Sequence, residues 1–213
     1  NAPRDALQTD TTVGDNIPDS DDWAEYWDSI FSPFADWIQT SFPRMHDTAS
    51  PVRRELVNKH GLLYTWPGSD PTLKPIVLMS HQDVVPVANE TLDQWIHPPF
   101  SGHIDIENQT VWGRGSVDCK LWLVSTISAV ETLVKSDFKP KRTIILSIGH
   151  DEDSDGKHGA QHLSAELEKR FGRGGIGMFV DAGTPRLSSA AAGSFGVPIA
   201  VPAVAERGAM NMK

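Results

Sequence analysis

Three short apolar runs, each closed by acid or histidine, constrain this chain more than any other feature. Pro75-Ile76-Val77-Leu78-Met79-Ser80 runs into His81-Gln82-Asp83. Thr143 to Ile148 runs into His150-Asp151-Glu152-Asp153, and Ile176 to Val180 runs into Asp181. Short runs without polar alternation predict strands buried on both faces. Between them, Lys120 to Ser136 places Leu121, Val124, Ile127, Val130 and Val134 near helical spacing, and His158 to Arg170 predicts a polar-faced helix. Leu62 to Trp66 predicts a further strand, closed by the turn Pro67-Gly68-Ser69-Asp70. Strands alternating with helices imply right-handed crossovers and an α/β, three-layer fold: a largely parallel sheet covered by helices.

Composition narrows the partners. With 39% hydrophobic and 22% charged residues over 213 positions, the chain is not wholly disordered. No run approaches the roughly 18 apolar residues of a membrane helix, so no membrane span is expected. A net charge of −9 disfavours nucleic acid, whose phosphates need clustered Lys and Arg. The same acidity suits carboxylates that hold divalent cations. The single cysteine, Cys119, excludes an internal disulfide framework and any multi-cysteine zinc motif. Two sequons, Asn89-Glu90-Thr91 and Asn108-Gln109-Thr110, sit in polar, turn-like stretches and point to the secretory pathway. The chain opens on Asn1 without a charged-then-apolar leader, so the expectation is a removed targeting segment or a start inside a longer product.

Residues 1–22 have no apolar period and are expected to be a disordered or extended segment. Residues 23–45 are expected to be helical. Trp23, Tyr26, Trp27, Ile30 and Phe31 recur at helical spacing behind Asp21 and Asp22, and Ser32-Pro33 predicts a second helix start that carries Phe34, Trp37, Ile38 and Phe42. These aromatics are expected to pack onto the following domain.

In sheets of this kind ligands gather beyond the carboxyl ends of the strands. Three strand ends and one helix start, at Asp118 after Gly113-Arg114-Gly115, bring carboxylates and imidazole together. This favours a metal site over solvated caps and turns. His81 and Asp83 are two apart, so an extended backbone puts them on one side, where Asp83 can fix the imidazole's tautomer. Many anionic oxygens with few nitrogens suit two divalent ions that share a carboxylate, with Asp118 the natural bridge. Glu152 and Asp153 are adjacent and point differently, so one can bind metal while the other acts as general base. Two decoys are set aside. Gly172-Arg173-Gly174-Gly175-Ile176-Gly177 matches a dinucleotide fingerprint but precedes a strand rather than opening a helix. Cys119 beside an anion is expected to be a buried structural thiol. His46, His60, His97, His103, His158 and His162 are expected to lie at the surface or behind the site, and His150 is open between packing and function.

The segments His81 to Pro86, Trp95 to Gly102, Trp112 to Lys120, Asp151-Glu152-Asp153 and Gly159-Ala160 resemble the M20 family of zinc peptidases, in its carboxypeptidase S or Gly-X carboxypeptidase branch. The likeness extends from about Trp37 to Asp181. It implies a partial catalytic domain of the zinc-dependent exopeptidase type over residues 46–200, with 201–213 as the start of a lid and dimerisation domain. It further implies two Zn2+ ions in the complete enzyme, with one or two possible here. His81 and Asp181 would be terminal ligands of one ion, Asp153 of the other, and Asp118 would bridge them. Asp83 would orient His81 and Glu152 would be the catalytic base. A non-proline cis peptide would fall at Asp118–Cys119. The substrate would be a peptide cut at its C-terminal bond, or an N-acyl amino acid, in a vacuolar or secreted glycoprotein.

Three departures accompany the likeness. Asp153 stands where the family usually has Glu, and Ala182 where it has an acid. The family's distal histidine ligand would lie beyond a lid, after Glu206 to Lys213, so a homodimer is expected only with that lid and activity is expected to be impaired. A non-catalytic metal-binding remnant, or a piece of a longer product, is the alternative.

Overall fold

The structure, a computed structural model, describes residues 2–14 and 24–182. Its strands are β1 (Arg53–Val57), β2 (Gly61–Trp66), β3 (Ile76–His81), β4 (His103–Asp105), β5 (Thr110–Trp112), β6 (Ile144–Gly149) and β7 (Met178–Val180). Five of them form one sheet in the order β1-β2-β6-β3-β7, and β4 and β5 form a separate hairpin. The three strands that carry the acid-rich ends are mutually parallel, with His81 opposite Gly149 and Leu78 opposite Val180. Their C-terminal ends therefore meet at one edge, where the apolar runs stop.

The rest of the sheet is antiparallel, so the sheet is mixed. β2 runs against β6, and β1 runs against β2. The β1–β2 link turns on Asn58 and Lys59 at φ 47° and 70°, a left-handed pair whose twist matches the flanking strands. β1 itself has no apolar run, because most of this edge strand faces solvent.

Alternate residues of β2 point to opposite faces. Leu62, Tyr64 and Trp66 pack with Leu146 and Ile148 against α2 (Ala24–Ser41), α3 (Pro43–His46) and α4 (Lys120–Lys135). Leu63 joins Val77 and Ile145 beneath α5 (Ala160–Phe171), which contributes Leu163 and Leu167. Two helical layers thus sandwich the sheet. α4 turns Leu123, rather than Leu121, into the core beside Val124, Ile127 and Val130.

Two local expectations differ from what is found. Ser32-Pro33 does not start a second helix, since α2 runs through Pro33. Trp27, Phe31, Phe34 and Ile38 form one buried stripe across the proline, and burial of that stripe outweighs the loss of one backbone bond. Within the segment expected to lack structure, Ala2–Gln8 is a helix, α1, with Ala6 and Leu7 buried. Thr12 then bridges in parallel to Val84. A helix of this length has little stability alone, so tertiary contacts and not periodicity hold it. The capping role of Asp21 and Asp22, the packing of Trp23, and the boundaries at residues 200 and 201–213 lie outside the described residues.

Candidate metal centre

His81 closes β3 and is buried. Its Nδ1 lies 3.0 Å from the main-chain oxygen of Asp83 and 3.3 Å from Asp83 Oδ1. Asp83 is fully buried, so the imidazole is held from behind and its Nε2 faces outward. That nitrogen meets Asp118 Oδ1 at 3.0 Å and Glu152 Oε2 at 3.6 Å. Gln82 points the other way, donating from Nε2 to His60 O at 2.8 Å and Gly149 O at 3.2 Å, which binds the ends of β3 and β6 together.

The loop after β6 is built by Asp151. Its two carboxylate oxygens accept the N–H groups of His158 at 2.7 Å and Gly159 at 2.8 Å. Its carbonyl accepts the N–H groups of Ser154, Asp155 and Gly156. This tight turn presents Glu152 and Asp153 toward β3, and the Asp153 N–H donates to Asp83 Oδ2 at 2.9 Å.

Asp118 arrives on the loop between β5 and α4. Gly115, at φ 82°, passes so close to the segment after β3 that an added Cβ would lie 2.7 Å from Val84 Cγ1. The Asp118–Cys119 peptide is cis. Cys119 is buried, and its sulfur accepts the His81 N–H at 3.3 Å while its S–H faces the His81 carbonyl at 3.6 Å. The thiol thus fastens the loop to β3.

His81, Asp83, Asp118, Glu152 and Asp153 are brought together. Asp181 stands just past β7, but its Oδ1 accepts the Ala182 N–H at 2.8 Å, and its influence on the cluster is through charge. Among the described residues, His81–Asp118–Cys119 and His81–Asp83–Asp153 have donor atoms mutually within 4.8 Å, and Asp181 is in neither group.

The electrostatics suit a cation. Burial, followed by the charges of Asp83, Asp118 and Asp181, raises Glu152 above the usual carboxylate range despite the opposing pull of His81. Burial and the neighbouring carboxylates push Asp153 up to about 6. Burial alone would lower His81, but its bonds to Asp83 and Cys119 prevail and push it up to about 12. A proton is thus held strongly at an imidazole ringed by carboxylates. Asp83 Oδ1 is buried and faces His81 Nδ1 at 3.3 Å as an ion pair outside hydrogen-bond geometry. An oriented imidazole with converging carboxylates is a donor set that fits a divalent metal ion.

His150 does not join this set. Both ring nitrogens are buried without a hydrogen-bond partner, and the ring packs edge-on to Trp27 at 5.1 Å and against Phe31 at 5.4 Å. Burial, reinforced by His60, pushes it down to about 3, so it is a neutral packing residue. The glycine-rich stretch from Gly172 ends α5 and leads into β7, which agrees with setting aside its nucleotide reading. Two contributors escaped the sequence reading. Asp151 was legible only as part of an acid run, and Lys120, whose buried Nζ donates to the carbonyls of Ala6 and Thr9, only as the end of the Trp112–Lys120 motif and the first residue of a helical stretch.

The sequence pattern of Peptidase family M20/M25/M40 matches residues 77–203. The chain belongs to this peptidase family. It is 46% identical over 178 residues to carboxypeptidase S of Saccharomyces cerevisiae, covering 84% of this chain and 30% of that protein. It is 37% identical over 192 residues to an N-fatty-acyl-amino acid synthase/hydrolase of Mus musculus, covering 86% of this chain and 35% of that protein. This M20 chain therefore spans about a third of the length of the curated relatives it matches. Human carnosine dipeptidase 1 superposes with a TM-score of 0.62 at 17% identity, over 84% of this chain and 36% of that one, a likeness of fold. The matched segment begins inside β3 and takes in every one of the clustered residues. Among the described residues, no helix of this M20 chain is long and apolar enough to cross a membrane.

Proposed function

We propose that the chain is the N-terminal part, over residues 46–200, of the catalytic domain of a zinc-dependent metallocarboxypeptidase-like hydrolase. Residues 201–213 would begin a lid. Its substrates would be peptides cleaved at the C-terminal bond or N-acyl amino acids. The observation that carries this reading is His81 Nε2, aimed at Asp118 and Glu152 while Asp83 holds the opposite ring nitrogen.

His81 and Asp181 would hold one zinc ion, Asp153 a second, and Asp118 would bridge both. Asp181 must turn away from the Ala182 N–H to do so. Bound zinc would polarise the scissile carbonyl and acidify the attacking water. Glu152 Oε2 would take the water's proton and pass it to the departing nitrogen. Burial and the neighbouring carboxylates raise its pKa, which favours a carboxylate that holds the proton between taking it and returning it. Asp83 keeps the imidazole oriented throughout and adds charge behind it. A non-catalytic metal-binding role is the second reading, favoured by the short side chain of Asp153 and by Ala182 beside the site.

The deciding experiment measures zinc content and hydrolysis of a blocked dipeptide, with and without Glu152→Ala. Zinc binding with Glu152-dependent turnover supports the enzymatic reading. Zinc binding with no turnover in either form supports the second, and absence of zinc from both overturns the metal centre.

A secretory, vacuolar or extracellular location is the accompanying proposal. Asn89 opens an exposed 3-10 turn at Asn89–Gln94, and Asn108 lies exposed in the β4–β5 turn. A mass shift on treatment with a peptide N-glycosidase, abolished by Asn89→Gln with Asn108→Gln, tests it.

A further inference from the structure

Residues 2–13 take no part in the proposed chemistry, yet they touch both segments that build the metal centre. The first contact is at Lys120. This residue opens α4, two positions past Asp118, and is fully buried. Its Nζ donates to the carbonyls of Ala6 at 3.1 Å and Thr9 at 2.6 Å, and lies 5.0 Å from the centre of the Phe34 ring. Ala6 and Thr9 sit at the C-terminal end of α1. Carbonyls there lack helical partners. The Lys120 Nζ thus caps a helix more than a hundred residues earlier in the chain.

The second contact is with the segment around Asp83. Thr11 Oγ1 donates to Gln82 O at 2.6 Å. The Val84 N–H donates to Thr11 O at 3.1 Å, and the Val13 N–H donates to Val84 O at 3.1 Å. Residues 11–13 therefore grip the two neighbours of Asp83 by three hydrogen bonds. A third contact covers the glycine loop. Leu7 is fully buried, and a Cβ on Gly113 would lie 3.4 Å from its Cδ1. The Asp83 segment and the Asp118 loop are distant in sequence, and the same dozen residues bind them both.

We propose that residues 2–13 form a strap that positions the metal centre, with Lys120 as the positioning residue that ties the strap to the Asp118 loop. This rests on the reading of the cluster as a metal site. A donor set is only as good as the residues that hold its ligands in place. The strap fixes where Asp83 and Asp118 stand relative to each other, because each is anchored to it within two residues. It predicts metal affinity that depends on residues which touch no metal.

The test uses the full chain, Lys120→Met, Lys120→Arg, Thr11→Val, and a chain lacking residues 1–13. Two readouts are taken: amide hydrogen exchange, and Co2+ titration followed by visible absorption. In Lys120→Met, Thr11→Val and the shortened chain, exchange at residues 82–85 and 113–119 is expected to quicken about ten-fold or more, while β2 and β6 stay protected. Co2+ affinity is expected to fall about ten-fold or more in the same three proteins. A peptide of residues 1–14 added to the shortened chain restores protection and affinity, and Lys120→Arg retains much of both. Unchanged exchange with unchanged Co2+ affinity overturns the strap. So does faster exchange spread evenly into β2 and β6, which marks general destabilisation instead of positioning. If Lys120→Met does not fold, Thr11→Val decides by the same criteria. If the unaltered chain binds no Co2+, the metal reading falls, and exchange alone decides whether the strap holds the two loops.

Discussion

Asp83 Oδ2 accepts the main-chain N–H of Asp153 at 2.9 Å, which joins the end of β3 to the loop after β6 through protein atoms alone. The same side chain approaches His81 Nδ1 with its other oxygen at 3.3 Å. One buried carboxylate therefore sets the imidazole and the second acid loop together. Replacement by Asn puts an amide where the His81 and Asp153 N–H groups both need an acceptor. Asp83→Asn is expected to lower metal affinity about 10–100-fold. Competition of zinc against a chromophoric chelator measures this, with far-UV circular dichroism as the check on folding.

Metal uptake should release protons. His81 is pushed up to about 12 and Asp153 up to about 6, and both must give up their protons to bind a metal ion. Affinity is thus expected to rise with pH, steeply where Asp153 still titrates and by proton displacement from His81 above that. Calorimetric titration of zinc at pH about 7.5, in two buffers of different ionisation enthalpy, reads the number released, expected to be about one. A value near zero would show that the imidazole does not exchange its proton for metal.

Acid should destabilise the fold through His150. Its folded pKa, about 3, lies below the ordinary histidine value of 6.5 because burial disfavours the charged ring. The unfolded chain then binds the proton more readily, so this contribution is present above 6.5 and is lost as pH falls from 6.5 toward about 3. The limiting slope is about 1.4 kcal/mol per pH unit. Urea unfolding midpoints at several pH values check it, and His150→Gln should flatten the dependence relative to the unaltered chain.

Gly115→Ala should be damaging. The residue has φ 82°, and the added Cβ would lie 2.7 Å from Val84 Cγ1 and 3.3 Å from Lys120 Cδ. A left-handed backbone and a close approach combine, so a loss of about 1–3 kcal/mol is expected, read by thermal or urea unfolding. Gly172→Ala, also at positive φ but with open space around it, should be milder, at about 1 kcal/mol.

The parallel strands β3 and β6 and their acid-rich ends were legible because burial leaves an apolar run; β7 was expected to be buried on both faces as well, but it lies at the sheet edge with Met178 and Phe179 exposed. β1 was not, since Arg53–Val57 is mostly exposed and its pairing depends on the left-handed Asn58-Lys59 turn. Pro33 misled for a related reason: propensity marked a boundary, while the stripe from Trp27 to Ile38 demanded continuity. Residue types and spacing suggested that the ends carrying His81, Asp83, Asp118, Glu152, Asp153 and Asp181 would converge, and of these the Asp181 side chain turns instead to the Ala182 N–H. The roles of Asp151 and Lys120 were hidden, because each acts through main-chain partners whose positions no periodicity encodes. The helix at Ala2–Gln8 was hidden likewise, since Leu7 is buried by the loop around Gly113 and not by its own segment.

The bond between Cys119 and the His81 backbone makes the chain its own stopwatch. Cys119 is the single thiol in the sequence, and its sulfur is engaged with both the N–H and the carbonyl of His81. A thiol reagent can reach it only when the Asp118 loop lifts away from β3. The labelling rate of one cysteine therefore times the opening of that loop, in an unmodified protein and without a fluorophore.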